Sequence, residues 1–273
     1  KGKCMIGAIC GDVIGSVHEG APPKPKDFPL FVPDSTFTDD TVLTVAVANA
    51  IREGMDFATS IRRWGRRYPY VGYGSWFRDW LFREDAGPYN SFGNGSAMRV
   101  AAIGWAFDDL DVVLREAASS ASVTHNHVEG IKGAQAVAAT IFVARSGSGK
   151  EEIAALLSDR FRYDCSTGLS ALQNRGGFDV TCQGTVPAAA VAFLHSTDFE
   201  DAVRNAVSFG GDADTLGCIA GAIAEAHYGG VPAEIQVEVF GRLDHALRAE
   251  VAAFASQYGI PMIGAFPSED ELR

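Results

Sequence analysis

Two short acidic motifs stand far apart in this chain: Thr38-Asp39-Asp40-Thr41 and Asp212-Ala213-Asp214-Thr215. Carboxylates placed side by side repel one another, so each pair invites a cation. The runs that follow, residues 42–51 and 216–226, are small and apolar, the pattern of buried helices. Asp and Thr suit the cap and first turn of a helix, where they accept from free amides. One cap uses one such side chain, and each motif holds more than that. If the fold joins the motifs, they form a hard-oxygen site that suits Mg2+, Mn2+ or Ca2+ rather than zinc.

Three further segments carry chemistry. Gly7, Gly11 and Gly15 fall four apart. On a helix they form a smooth ridge that a second helix can approach closely. Asp12 and Glu19 are polar intrusions in that apolar stretch, and Glu19 lies where it gives way to prolines. The run Gly93-Asn94-Gly95-Ser96, ahead of Met98 and Arg99, is a glycine-rich turn before an apolar helix. Amides exposed at such a turn can cradle a phosphate. It matches neither the Walker loop nor the dinucleotide fingerprint. In Thr124-His125-Asn126-His127, two histidines stand two apart. With acidic oxygens elsewhere, a substrate contact or a helix cap is a better role for them than metal binding, and at least one is expected to be only structural.

Helices must position these groups. Ile131, Ala134, Ala138, Ile141 and Phe142 trace one helix face, and Ile235, Val239, Leu243, Leu247 and Val251 trace another. Ser148 with Glu151, and Thr197 with Glu200, have the spacing of capping boxes. Alternating strand patterns are nearly absent. The expectation is an all-α fold of roughly ten or more helices, compact and in a single domain over residues 1–273. Three stretches resist a helical reading: 21–35 with its five prolines, the aromatic- and glycine-rich 68–90, and the turn-rich 164–185. Long irregular stretches of this kind are often binding loops. The aromatics of 68–90 could equally be core packing.

Composition narrows the function. The chain is 47% hydrophobic, enough for a sizeable core, and its net charge of −11 argues against a basic face that grips nucleic acid. The odd cysteine count (Cys4, Cys10, Cys165, Cys182 and Cys218), with no Cys-x-x-Cys, suits a reduced, cytoplasmic setting. No apolar run reaches membrane-spanning length, and no clear secretory signal is present. A monomer is expected.

Taken in order, the motifs resemble the ADP-ribosylglycohydrolase family, which includes dinitrogenase reductase-activating glycohydrolase and the ADP-ribosyl-acceptor hydrolases. They are Gly-Asp-x-x-Gly-x-x-x-Glu at 11–19, Thr-Asp-Asp-Thr at 38–41, Gly-Asn-Gly-x-x-Met-Arg at 93–99, Thr-His-x-His at 124–127 and Gly-Gly-Asp-x-Asp-Thr at 210–215. The resemblance implies a compact all-α fold with two divalent ions, Mg2+ or Mn2+. It implies Thr38, Asp39 and Asp40 as one ligand set and Asp212, Asp214 and Thr215 as the other. Glu19 resembles a movable glutamate that can also reach a metal. Gly93, Asn94, Gly95 and Ser96 would cradle a diphosphate, with Met98 and His125 beside the substrate. Aromatics of 68–90 would hold adenine or ribose.

The implied activity is hydrolysis of the glycosidic bond joining ADP-ribose to an acceptor, either protein-linked arginine or serine or a small O-linked conjugate. Glu19 and Asp39 are the candidates for the proton work. The spatial order expected is metals, distal ribose, diphosphate, adenine. All motif residues are present. The chain is short for the family, and 164–185 is where specificity loops would differ, so acceptor choice does not carry over. Two rival readings are a two-metal phosphoester or pyrophosphate hydrolase and a non-catalytic ADP-ribose binder.

Overall fold

A computed structural model describes residues 5–258. Among these, fourteen α-helices follow in order: α1 (Ile6–Gly15), α2 (Asp39–Glu53), α3 (Phe57–Arg67), α4 (Ser75–Phe82), α5 (Ala101–Ala106), α6 (Leu110–Ser122) and α7 (Val128–Arg145), then α8 (Lys150–Ala155), α9 (Leu169–Arg175), α10 (Cys182–Leu194), α11 (Phe199–Ser208), α12 (Ala213–Tyr228), α13 (Ala233–Arg242) and α14 (His245–Gln257). No strand occurs among the described residues; one isolated antiparallel bridge joins Gly93 to Thr181. The fold is all-α, as the periodicity predicts. None of its helices is long and apolar enough to cross a membrane.

Helices α1 and α12 form the central seam. All of α1 is buried, as is α12 as far as Ala226. A Cβ added at Gly11 would lie 1.9 Å from the Gly217 carbonyl oxygen, and one at Gly7 would lie 2.5 Å from that of Gly221. Only glycine permits this approach. At one end of the seam Glu225 reaches across, its Oε2 accepting the Gly7 N–H at 2.8 Å. That carboxylate satisfies a free donor in the first turn of α1. Helices α7, α10 and α11 pack around α12, and α2 lies against α1, α3, α5 and α14. Buried apolar side chains from α1 to α14 join in one core.

Several local expectations shift. The face traced by Ile235 to Val251 belongs to two helices. Leu243 is extended (φ −82°, ψ 148°), and Asp244 caps a new start by accepting the Leu247 N–H at 3.0 Å. All five apolar residues stay buried across the break, so burial alone did not reveal it. Both capping boxes begin one residue later than their spacing suggests. In the first, Gly149 is the N-cap and only the Glu152 half forms, its carboxylate accepting the Gly149 N–H at 3.0 Å. In the second, Asp198 accepts from the Asp201 N–H while Asp201 accepts from that of Thr197. Asp is as good a cap as Thr, and the later start leaves Phe199 buried in the first turn. Segment 164–185 contains helix α9, whose one buried residue, Leu172, left little periodicity to read.

Segment 68–90 divides between two roles. Tyr73 and Trp80 are core residues, while Trp76 stands 66% exposed at the start of α4.

Candidate metal centre and cleft

The two acidic motifs meet. Helices α2 and α12 begin side by side, and the Thr215 hydroxyl donates to Asp40 Oδ2 at 3.2 Å, linking one motif to the other. Asp12 joins them from α1. Oxygens of Asp12, Asp40 and Asp214 lie within 4.8 Å of one another, as do those of Glu19, Asp212 and Asp214. Glu19 arrives on the loop after a 3-10 turn, Ser16–His18, that ends α1. Asp214 belongs to both groups, so the arrangement is two adjoining oxygen clusters.

Asp12 is the residue that sequence reasoning undervalued. It accepts four hydrogen bonds from the start of α2: the Thr38 N–H at 3.0 Å, the Thr38 hydroxyl at 2.7 Å, the Thr41 N–H at 3.0 Å and the Thr41 hydroxyl. One carboxylate thus holds the cap and first turn of α2 against α1. The signal was its presence, fully buried, in an otherwise apolar helix. Thr38, expected among the metal ligands, is the N-cap. Its hydroxyl donates to Asp12 and accepts the Asp40 N–H at 3.3 Å, and the residue does not line the cleft.

The electrostatics call for a cation. A cleft of about 400 Å3 is lined by Glu19, Asp39, Asp40, Asp212 and Asp214, with no Lys or Arg among its lining residues. Burial pushes Asp39, Asp40 and Asp214 well above the ordinary carboxylate range, and neighbouring carboxylates push them further. For Asp40 the main neighbour is Asp214; for Asp214 it is Asp212. Burial raises Asp212 as well, against the pull of the Asn94 amide. Glu19 is raised by burial, then by Asp212 and Asp12. Asp40 Oδ1 and Asp214 Oδ1 are buried without a hydrogen-bond partner. Unsatisfied buried carboxylate oxygens are costly. Hard divalent cations fit this donor set, and Asp40, Asp212, Asp214, Thr215, Asp39 and Glu19 could hold them.

The sequence profile of the ADP-ribosylglycohydrolase family matches residues 2–260. The chain belongs to that family. It is 26% identical to ADP-ribosylhydrolase ARH3 of Danio rerio, covering 87% of this chain and 85% of that protein. It is 27% identical to ADP-ribosylarginine hydrolase Tri1 of Pseudomonas putida, covering 84% of this chain and 71% of that protein. Among solved structures, one titled "ADP-ribosylglycohydrolase-related protein complex" superposes with a TM-score of 0.72 at 27% identity, over 94% of this chain and 96% of the other.

In this family member the glycine turn supports the acidic cluster directly. Residues Asn94–Ser96 form one 3-10 turn. The Asn94 side-chain amide donates to Asp212 Oδ2 at 2.6 Å and to the Thr185 hydroxyl at 3.0 Å. Its backbone N–H goes to Val180 at 2.7 Å, and that of Gly93 goes to the Ser91 hydroxyl at 3.1 Å. Two amides of the expected phosphate cradle are therefore already committed. Gly93, Asn94, Gly95 and Met98 line the cleft, while the Ser96 hydroxyl turns inward to the Gly130 carbonyl at 2.8 Å. A Cβ at Gly95 would meet His125 Nε2 at 3.3 Å, so glycine keeps that ring in place.

The two histidines part company. His125 is buried in the cleft wall, and burial lowers it well below the ordinary histidine range, with Arg99 adding to the effect. Its Nδ1 contacts the Thr124 hydroxyl at 2.7 Å, and that hydroxyl accepts from the buried Arg99 guanidinium at 3.1 Å. His127 caps α7, accepting the Glu129 N–H at 3.1 Å. Trp76, Phe77 and Tyr89 complete an aromatic wall, and Tyr89 packs on His125 with centroids 5.8 Å apart. Phe178 and Val180, exposed on the loop before α10, form the remaining rim. Both lie in the turn-rich stretch 164–185 that the sequence marks as a candidate binding loop, though neither side chain stood out within it.

Proposed function

We propose that this protein is a metal-dependent hydrolase that cleaves the bond between ADP-ribose and an acceptor, releasing ADP-ribose. One observation carries the reading: two acidic clusters with unpartnered buried oxygens converge at one end of a cleft whose other walls are aromatic rings and a glycine turn. The names of the relatives, ADP-ribosylhydrolase and ADP-ribosylarginine hydrolase, support the substrate class. Arginine, serine or a small O-linked group remain the acceptors to be distinguished by assay.

Two divalent ions, Mg2+ or Mn2+, would supply positive charge and Lewis acidity when bound by Asp39, Asp40, Asp212, Asp214, Thr215 and Glu19. The chain's own residues perform the rest. Asp12 and Asn94 act one step back: the first fixes the start of α2, and the second fixes Asp212. Second-layer contacts of this kind orient ligands and tune the site. The distal ribose belongs at the acidic end. The diphosphate belongs away from the carboxylates, near Gly95 and the neutral His125. The aromatic wall suits the flat face of adenine or the apolar face of a ribose.

In the reaction, a water oxygen bonds to C1″ as the bond from C1″ to the acceptor breaks. The transition state has oxocarbenium character, which nearby carboxylates stabilise. The proton lost by water passes to a carboxylate, and the acceptor atom leaves with a proton. Glu19 and Asp39 are assigned this proton work. Both line the cleft among the other carboxylates, and Glu19 stands on a loop rather than in a helix.

The deciding experiment is a hydrolysis panel of ADP-ribosyl-arginine, ADP-ribosyl-serine, poly(ADP-ribose) and O-acetyl-ADP-ribose, each with Mg2+, Mn2+ or EDTA. Free ADP-ribose, formed only with metal, is the expected product. Release of AMP and ribose phosphate would replace this reading with a phosphohydrolase. Tight ADP-ribose binding without turnover of any substrate would replace it with a binding protein.

A further inference from the structure

A second cavity, of about 420 Å3, shares no lining residue with the acidic cleft. It opens between α7, α10 and residues 162–175. Where the first cleft is acidic, this one carries three cations, Lys132, Arg162 and Arg175, against two carboxylates, Glu129 and Asp164. That is a local excess of positive charge in a chain of net charge −11. Both carboxylates are already engaged. Glu129 pairs with Lys132 at 2.6 Å, and Asp164 Oδ1 accepts the N–H and hydroxyl of Ser166 at 2.9 and 2.6 Å. Among the described residues, neither Arg162 nor Arg175 makes an ion pair.

One residue sets this cavity apart from an ordinary basic surface. Tyr163 lines it, is only 4% exposed, and has a buried hydroxyl with no hydrogen-bond partner. Lys132 Nζ stands 4.7 Å from the centre of its ring. Arg162 has φ 58°, in the left-handed region that a bulky side chain seldom adopts. It follows a π-turn, Leu156–Arg160, and its N–H closes on the Ser158 carbonyl at 3.1 Å. With the Tyr163 N–H closing on the Leu157 carbonyl at 3.0 Å, this is a left-handed helix C-cap, and it sets Arg162 and Tyr163 side by side at the cavity.

We propose that this second cavity binds a small phosphate monoester. Two guanidinium groups without ion-pair partners and an ammonium shared with Glu129 offer more donors than the two oxygens of a carboxylate can use. The three terminal oxygens and near-dianionic charge of a phosphate match them. The volume falls within the range of small-molecule sites. The site stands independently of the chemistry assigned to the acidic cleft.

The test uses the full chain saturated with Mg2+ and labelled for amide NMR. Glycerol 3-phosphate is the probe, and acetate is the carboxylate control. Saturable shifts are expected at the amides of Lys132, Tyr163 and Arg175. Arg175→Ala combined with Arg162→Gly should weaken binding by at least about tenfold. Glycine also relieves the backbone at position 162. Lys132→Gln, which removes the charge and keeps the length of the side chain, should weaken it about fivefold. Shifts confined to Gly93, Gly95 and His125 would place the probe in the acidic cleft and overturn the proposal. So would affinity unchanged in both variants, or acetate binding as tightly as the phosphate.

Discussion

The α1–α12 seam and the loop of residues 176–180 border the same cleft on opposite terms. Along the seam, backbones approach so closely that a single added carbon at Gly11 would meet a carbonyl oxygen at 1.9 Å. At its mouth Asp12 is held by four hydrogen bonds, Asp212 by the Asn94 amide and Asp40 by the Thr215 hydroxyl. In the loop, Gly176 and Gly177 have φ of 55° and 93°, and Phe178 is 54% exposed. The apolar side chains it presents to the cleft, Phe178 and Val180, are exposed. A site for ions demands oxygens fixed to within fractions of an ångström, and close-packed helices deliver that. A wall that meets a variable acceptor can sit on a loop.

The sharpest way to break this contrast is to fill the seam. Gly11→Val should cost at least about 3 kcal/mol of stability, because the obstructing atoms are backbone and cannot rotate away. Gly74→Ala is the control, at a position with nothing within 4 Å of an added Cβ. It should change stability by no more than about 0.5 kcal/mol. Chemical denaturation reads both, and equal effects would show that the seam is not uniquely tight.

Next in size is Asp214→Asn. Turnover of the best substrate should fall at least about hundredfold. The melting temperature without metal should hold or rise, since one of several mutually repelling buried carboxylates is removed. A variant that keeps activity would sink the metal assignment at this position.

Metal removal gives a smaller effect with a defined sign. In EDTA, the folded protein binds protons at Asp39, Asp40 and Asp214 at a pH where the unfolded chain does not, because burial raises their pKa values. Stability should therefore rise as pH falls through those raised values, and fall as pH rises. Two histidines act in the opposite direction. His18 is pushed down from 6.5 to about 4 by burial and Lys24, and His125 is also lowered. Between those limits they weaken the fold on acidification. Thermal unfolding without metal, read above the histidine range, should then show stability falling as pH rises. Saturating Mg2+ should flatten that gradient by replacing protons. A gradient unchanged by Mg2+ would mean that no cation binds there.

The smallest effect belongs to the loop. Phe178→Ala should leave stability within about 0.5 kcal/mol, as for an exposed side chain without special contacts. It should shift KM for protein-linked acceptors by less than about tenfold and leave kcat unchanged. A large fall in kcat would move Phe178 from the rim into the chemistry.

Much of the site was legible because buried charge is anomalous wherever it appears. Asp39, Asp40, Asp212 and Asp214 stood out ahead of apolar runs, and Asp12 stood out inside one. Helix ends were less legible. Thr197 and Asp198 cap equally well, and the start of α11 was decided by burying Phe199. The break at Leu243 was hidden for a related reason, since burial continues across it.

By itself, the sequence determined the class of the fold, the acidic chemistry and the oxygen donors, because periodicity and misplaced charge are local properties. Only the tertiary structure decided which groups meet. It brought motifs from opposite ends of the chain together by packing glycine against glycine along α1 and α12. It turned Thr38 toward Asp12, sent His125 to the cleft and His127 to a cap, and closed a basic cavity around Tyr163. Those outcomes depend on which surfaces pack together across long stretches of chain, and no local pattern records that.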